Sequence, residues 1–115
     1  PERIESGVKS LDLFKVAQLN FERPDNECFP CLQLAKDAFS AGGTACASLN
    51  AANEISVASF LKGNIAFTSI PDIINRTLEL VVNSSVDSVD QVIEADQEAR
   101  RVAEEIILKI HRLKR

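Results

Sequence analysis

The stretch ACASLNAANEISVASFLK, residues 45–62, decides the fold because it is a helical sequence with almost no polar side. A helix that is apolar nearly all round is buried among neighbours rather than lying on a surface. Its many alanines and serines are small, which favours close neighbours. Thr44 precedes the stretch as a predicted N-cap, and Gly63 follows it as a predicted stop. We therefore predict a central helix.

The segment before the central helix has the pattern of a second helix. Pro30 suits a first helical turn, where its missing N–H group leaves no hydrogen bond unmade. The glycines of SAGG, residues 40–43, can adopt the positive φ values that end a helix. Between these signals, one apolar stripe is formed by Leu34, Ala35, Ala38 and Phe39.

Two further helices are predicted after the central one. One begins after Thr68, with Asp72 near the positive end of its dipole. Ser88 and Gln91 form a capping box that opens a short helical turn, and Asp96 is the predicted cap of the last and longest helix. The apolar stripe of that helix is Ala99, Val102, Ala103, Ile106, Ile107, Ile110 and Leu113. The fold class is therefore mainly α, a small four-helix bundle.

Residues 1–28 differ from the remainder of the chain. Ala17, Leu19 and Phe21 alternate with polar residues, which is the pattern of a short strand. The sequence contains no second strand to pair with it, so an extended amino-terminal arm is the other interpretation. We predict two parts: a linker or extended arm over residues 1–28 and a carboxyl-terminal helical bundle over residues 29–115.

Composition excludes some classes of function. The 115 residues carry a net charge of −4, which argues against binding of nucleic acid, and no apolar run approaches the roughly 20 residues that a membrane span needs. Three cysteines are an odd number that fits reduced thiols better than a disulfide framework. A proline at position 1 predicts that the chain is part of something larger.

Cys28 and Cys31 form a Cys-x-x-Cys pair at a predicted helix start. A helix amino terminus lowers a thiol pKa, so a redox role has a physical basis, but such motifs work within a strand–helix–strand unit that this sequence lacks. A structural zinc site needs four ligands, and only Cys46 and the distant His111 are added. We interpret Cys31 as a buried apolar residue, Cys28 as a loop thiol and His111 as a surface residue. A thiol redox or metal module remains the alternative.

A polar cluster interrupts the central helix. Asn50, Asn53 and Glu54 stand at positions i, i+3 and i+4, so they share one side of the helix. They are either ligand contacts or a network that ties the helix to the amino-terminal arm, and we favour the network. Its partner would be one of three basic residues: Arg3, Lys9 or Lys15.

Four segments together resemble a known family. They are SGVKSLDL (6–13), FPCLQLAKDAF (29–39), LNAANEISVASFL (49–61) and IAFTSI (65–70). In this order and spacing they closely resemble the carboxyl-terminal part of the 1-deoxy-D-xylulose 5-phosphate reductoisomerase family, and the likeness spans essentially the whole chain. Ser10 departs from the pattern, since relatives often have proline there.

The resemblance implies an enzyme of non-mevalonate isoprenoid biosynthesis that converts 1-deoxy-D-xylulose 5-phosphate to 2-C-methyl-D-erythritol 4-phosphate. It implies NADPH, a divalent metal (magnesium or manganese), and a homodimer with dinucleotide-binding, catalytic and carboxyl-terminal helical domains. The family's catalytic, cofactor and metal residues belong to the first two domains. No such residue is therefore expected here, and Glu54 is not expected to be a metal ligand.

On this basis the chain is expected to be a structural scaffold that is inactive by itself, with its own catalytic and dinucleotide-binding domains as partners. Membranes and nucleic acids are not expected partners. The expected location is the bacterial cytoplasm, with a plastid-type organelle as the alternative. Apolar groups of the arm should be uncovered without the catalytic domain, so the isolated chain should associate or swap its arm. A free-standing helical interaction module is the rival hypothesis.

Overall fold

The computed structural model describes residues 7–113, and the side chain of Leu113 lies outside the description. Over that range the regular structure consists of five helices and no strand. They are α1 (Leu13–Val16), α2 (Cys31–Ala41), α3 (Ala45–Leu61), α4 (Ser69–Leu80) and α5 (Val89–Leu113). The mainly α fold is confirmed: α1 is a single turn, and the other four helices form the bundle.

Helix α3 lies at the centre of the bundle, as its apolar sequence predicts, and packs against α2, α4 and α5. Its buried side chains are all small: Ala45, Ser48, Ala51, Ala52, Ser56 and Ser59. The Ser56 hydroxyl donates a 2.7 Å hydrogen bond to the carbonyl of Ala52, one helical turn earlier. Serines of this kind fill space like alanine while bonding within their own helix, so neighbouring helices can approach closely.

The core lies where α3, α4 and α5 meet. Ile73 and Ile74 of α4 are 0% and 2% exposed. The residues of α5 that face them are Ala99, Val102, Ala103, Ile106 and Ile107, all buried, and Ile110 is half-buried. The predicted stripe of the last helix is therefore confirmed for every member whose side chain is described.

The predicted start of the last helix is wrong. Helix α5 is continuous from Val89, so Asp96 lies inside it. The Asp96 carboxylate does not cap free N–H groups and instead accepts a 2.7 Å hydrogen bond from Nε of Arg100. The capping box is confirmed: the amide of Gln91 donates to Oγ of Ser88 at 3.3 Å, and the amide of Ser88 donates to Oε1 of Gln91 at 3.2 Å. This box opens the long helix itself.

The turn between α2 and α3 is pinned to the loop between α4 and α5. Thr44 precedes α3 as predicted, but its hydroxyl accepts from the amide of Ser84 at 3.1 Å and lies 3.3 Å from Oδ1 of Asn83. The amide of Thr44 donates to the carbonyl of Ser84 at 3.0 Å. Gly43 has φ +57°, and a Cβ there would lie 2.3 Å from the same carbonyl oxygen. Only glycine fits this close approach.

Helix α2 is more exposed than its stripe predicts. Ala38 is its one buried residue, Leu34 is half-buried, Ala35 is exposed and Phe39 is 78% exposed. The reason is that α2 packs chiefly against one helix, α3, so only a narrow strip of its surface is covered. Of the predicted apolar stripe, Ala35 and Phe39 therefore remain in solvent.

Residues 7–29, called the arm below, contain no strand, so that interpretation of residues 17–21 is wrong and the extended arm is what the structure shows. The arm bends at α1, where the Asp12 carboxylate accepts from the amides of Phe14 (3.1 Å) and Lys15 (3.3 Å). Ala17 ends this turn with φ +59°. A single strand without a partner leaves its backbone groups unpaired, which is why the alternating pattern does not form one.

Candidate interaction surface

The arm presents apolar side chains to solvent. Every residue from 7 to 29 is exposed, and Phe14 and Phe21 are 99% and 88% exposed. The large apolar residues concerned, called the apolar arm surface below, are Val8, Leu11, Leu13, Phe14, Val16, Leu19, Phe21 and Phe29. This number of large apolar side chains left in water makes the arm a candidate site of protein interaction.

The foot of the arm is held in a fixed turn. The Asp25 carboxylate accepts hydrogen bonds from the amides of Glu27 at 3.0 Å and Cys28 at 2.9 Å, and its carbonyl accepts from the amide of Phe29 at 2.9 Å. The hydrogen bonds from Cys28 hold the pKa of Asp25 below its ordinary value, because they favour the charged carboxylate. These bonds fix the turn that leads from the arm into α2.

A cleft of about 420 Å³, called the foot cleft below, opens between this turn, α3 and the start of α4. Its walls are mostly apolar, and its polar side chains are the half-buried Asn53 and the exposed Glu27, Thr68 and Asp72. The apolar lining residues are Phe29, Pro30, Val57, Phe67, Ile70 and Pro71. The Phe67 ring is braced edge-on by Phe60, with ring centroids 5.6 Å apart.

The two thiols of the Cys-x-x-Cys pair line the foot cleft. Both are exposed, so the prediction that Cys31 is buried is wrong, because it lies on the uncovered first turn of α2. The hydrogen bond to the Asp25 carboxylate raises the pKa of Cys28, and desolvation raises the pKa of Cys31. Higher pKa values mean less thiolate at neutral pH, which does not favour thiol chemistry.

Metal ligands are scattered over the part of the chain that the structure describes. Nowhere between residues 7 and 113 do three His, Cys, Asp or Glu side chains gather as they would around an ion. His111 is exposed near the end of α5, as predicted. In the same range, no helix is long and apolar enough to span a bilayer.

The polar cluster on α3 forms the predicted kind of network but has a different partner. Glu54 accepts a 2.6 Å hydrogen bond from Nη2 of Arg100 on α5, which also binds Asp96, while Asn50 donates to Glu54 at 3.3 Å. The hydrogen bond and charge of Arg100 lower the pKa of Glu54. The network joins α3 to α5 rather than to the arm. Of the three predicted partners, Lys15 pairs with Asp12, Arg3 lies outside the described residues, and Lys9 is not part of this network.

Asn53 behaves differently from its two neighbours. It is half-buried, lines the foot cleft beside Val57, and makes no side-chain hydrogen bond to any of residues 7–113. Its position one turn before Val57 on α3 indicates that the two side chains share one face of the helix. The sequence does not indicate the other walls of the cleft, because they come from distant segments. Of the sequence-predicted residues, the structure brings Cys28, Cys31 and Asn53 together and places Asn50 and Glu54 elsewhere.

This combination of a helical bundle and an apolar arm matches a known class of protein domain. The family model described as "DXP reductoisomerase C-terminal domain" matches residues 1–102, and the chain belongs to this family. The 1-deoxy-D-xylulose 5-phosphate reductoisomerase of Aromatoleum aromaticum is 56% identical over 108 residues, which are 94% of this chain and 27% of that protein. The enzyme of the same name from Methylococcus capsulatus is 54% identical, over 93% of this chain and 27% of that protein.

Solved structures agree with this assignment. The Zymomonas mobilis reductoisomerase in complex with NADPH superimposes with a TM-score of 0.82 at 41% identity, over 93% of this chain and 28% of that one. A DOX-P reductoisomerase in complex with NADPH, fosmidomycin and magnesium gives 0.76 at 35% identity, over 96% and 29%. The chain thus spans about a quarter of the length of these relatives.

Proposed function

We propose that this chain is the carboxyl-terminal helical domain, with its preceding linker, of an enzyme that converts 1-deoxy-D-xylulose 5-phosphate to 2-C-methyl-D-erythritol 4-phosphate. The enzyme uses NADPH and a divalent metal, magnesium or manganese, and acts as a homodimer in the bacterial cytoplasm. The match of residues 1–102 to the family is the observation that carries this proposal. The named NADPH and magnesium complexes of its structural neighbours support the cofactors, and the bacterial origin of its relatives supports the location.

Within that enzyme the chain acts as a scaffold for the catalytic domain and carries no catalytic residue. Support comes from the apolar arm surface, because covering apolar area is favourable by about 25 cal/mol per Å² and the bundle leaves Phe14 and Phe21 uncovered. The family relationship supplies a partner, since this chain matches only 27% of the Aromatoleum aromaticum relative. The arm would lie along the catalytic domain and hold the bundle beside it.

The test compares two proteins: residues 1–115, and the product of the whole reading frame that contains them. NADPH oxidation is followed with 1-deoxy-D-xylulose 5-phosphate, with and without a chelator. We expect turnover by the longer protein that is lost on chelation and restored by magnesium or manganese, and none by residues 1–115. Turnover by residues 1–115 would refute the scaffold role. A reading frame that encodes only these residues would favour the free-standing interaction module instead.

A further inference from the structure

The foot cleft shares Phe29 with the apolar arm surface, but the bundle itself builds most of the cleft. Val57 and Asn53 come from α3, while Phe67, Ile70 and Pro71 come from the start of α4 and the loop before it. The arm adds Phe29 and Cys28 to the other wall, and the first turn of α2 adds Cys31. Such a cleft can accept one large side chain, since its volume of about 420 Å³ exceeds what any single residue occupies.

The cleft is already formed without an occupant. The turn around Asp25 holds the arm side through three hydrogen bonds, and the ring of Phe60 braces the ring of Phe67 on the other side. Ile70 anchors the floor, being only 6% exposed. A preformed apolar site binds with little ordering cost.

Asn53 determines which hydrogen-bonding groups the occupant of the cleft must have. Its side chain has both donor and acceptor groups and bonds to nothing within residues 7–113. Covering it without a partner would leave its hydrogen bonds unmade, which is unfavourable, so the occupant must present a matching pair such as a backbone N–H and C=O. The exposed Glu27 and Asp72 add negative charge, which favours a basic residue beside the inserted group.

We infer that the foot cleft receives an apolar side chain, with an adjacent Lys or Arg, from the polypeptide that precedes residue 1 in the whole enzyme, and that Asn53 bonds the backbone of that segment. The inference rests on the proposed function. The occupant is argued from continuity, because Glu27, Cys28 and Phe29 belong to both arm and cleft. A segment that covers the apolar arm surface as far as Phe29 therefore reaches the cleft. The relatives supply such a segment, since this chain spans only 28% of the Zymomonas mobilis reductoisomerase.

The three cysteines provide the test. Each thiol is labelled with a maleimide in residues 1–115 and in the whole enzyme, and rates are read by peptide mass spectrometry. Cys28 and Cys31 line the cleft, whereas Cys46 is exposed outside it. We expect labelling of Cys28 and Cys31 to be at least tenfold slower in the whole enzyme, with Cys46 changing much less. Equal slowing of all three thiols would overturn the inference, since it would not be specific to the cleft.

Asn53→Ala in the whole enzyme should speed labelling of Cys28 and Cys31 at least threefold. The variant removes the proposed hydrogen bonds to the occupying segment, and the smaller alanine side chain does not block the cleft. Asn50→Ala is the matched control: it lies one turn earlier on α3, outside the cleft, and should leave both rates unchanged. Equal effects of the two variants would remove Asn53 as the anchor. Unfolding curves of both variants in residues 1–115 show whether either has simply lost its fold.

Amide hydrogen exchange of residues 7–29 separates this inference from the proposed function. If the arm is protected in the whole enzyme while Cys28 and Cys31 react as fast as in residues 1–115, the cleft inference fails and the scaffold role stands. If neither is protected, both fail. Slow labelling of Cys28 and Cys31 in the whole enzyme that is lost on dilution would show a second copy as the occupant, which also overturns the inference.

Discussion

The arm and the bundle both contain large apolar side chains, but the bundle buries them and the arm leaves them exposed. In the bundle, Ile73 and Ile74 are 0% and 2% exposed, whereas Phe14 and Phe21 of the arm are 99% and 88% exposed. The bundle residues recur at spacings of three and four, which places them on one face of a helix. The arm residues lie outside the four helices of the bundle and remain exposed. Hydrophobicity therefore does not decide burial; a partner of the right shape does.

The largest effect that would sharpen this comparison is expected from Ile73→Ala. Removing this fully buried side chain should lower the free energy of unfolding by about 3 kcal/mol, through lost transfer energy and a cavity. Phe14→Ala is the matched control in the arm, and it should change the free energy by less than about 0.5 kcal/mol because the ring is already in water. Urea denaturation of residues 1–115 measures both. Similar losses would break the distinction between the two regions.

A smaller loss is expected from Gly43→Ala at the pinned turn of the bundle. A Cβ would meet the Ser84 carbonyl at 2.3 Å and would also carry φ +57°, so we expect a loss of about 2 kcal/mol. Gly63→Ala has φ +74° but open space around its Cβ. It should cost about 1 kcal/mol from backbone strain alone. Equal losses for the two variants would show that the contact with Ser84 contributes nothing.

Arg100→Met should lower the urea midpoint at pH 7 by less than Gly43→Ala, because it breaks an exposed link between α3 and α5. Arg100 lowers the pKa of Glu54 below its ordinary value of 4.5. The pair therefore stabilises the fold above that pH, and the stabilisation is lost as the pH falls through the lowered pKa of the folded state. The difference between variant and parent should shrink in that acidic range.

Arg101→Met is the control for this prediction, since Arg101 pairs with Glu98 and Glu105 on its own helix. Its midpoint should shift less than that of Arg100→Met. An Arg100→Met difference that stays constant from pH 7 down to pH 3 would contradict the role of Glu54.

The smallest effect on stability is expected from the double variant Phe14→Ser, Phe21→Ser, because both rings are almost fully exposed. Its urea midpoint should match that of the parent. Its self-association should be weaker, since we expect the uncovered arm to join copies of residues 1–115. Sedimentation equilibrium measures this. A parent chain that is monomeric, with residues 7–29 protected from hydrogen exchange, would contradict the prediction.

Several features of the fold were predictable because they depend on neighbours in sequence. The capping box of Ser88 and Gln91 and the stripe of α5 follow from spacings of three and four residues. Asp96 shows the limit of such signals: it is a good capping residue, but the helix opened by Ser88 runs through it, and Arg100 engages its side chain. Local signals indicate the residues at which a helix can begin, and the packing of the chain decides which of these residues is the actual start.

The candidate interaction surface was less predictable. The sequence marked Cys28, Cys31 and Asn53 as unusual but supplied no reason to place them in one cleft, because the cleft joins segments far apart in the chain. The partner of Glu54 was missed for the same cause: Arg100 is 46 residues away. The exposure of Phe39 was missed because periodicity gives the direction of a stripe and not the number of helices that cover it.

By itself, the sequence determined that the chain is helical, that α3 is central and which family it belongs to, since periodicity, small side chains and ordered motifs are written in neighbouring residues. Only the tertiary structure decided that the arm remains uncovered, that Glu54 binds Arg100 and that Asn53 faces an apolar cleft. These outcomes depend on which distant surfaces meet, and that is settled when the helices pack.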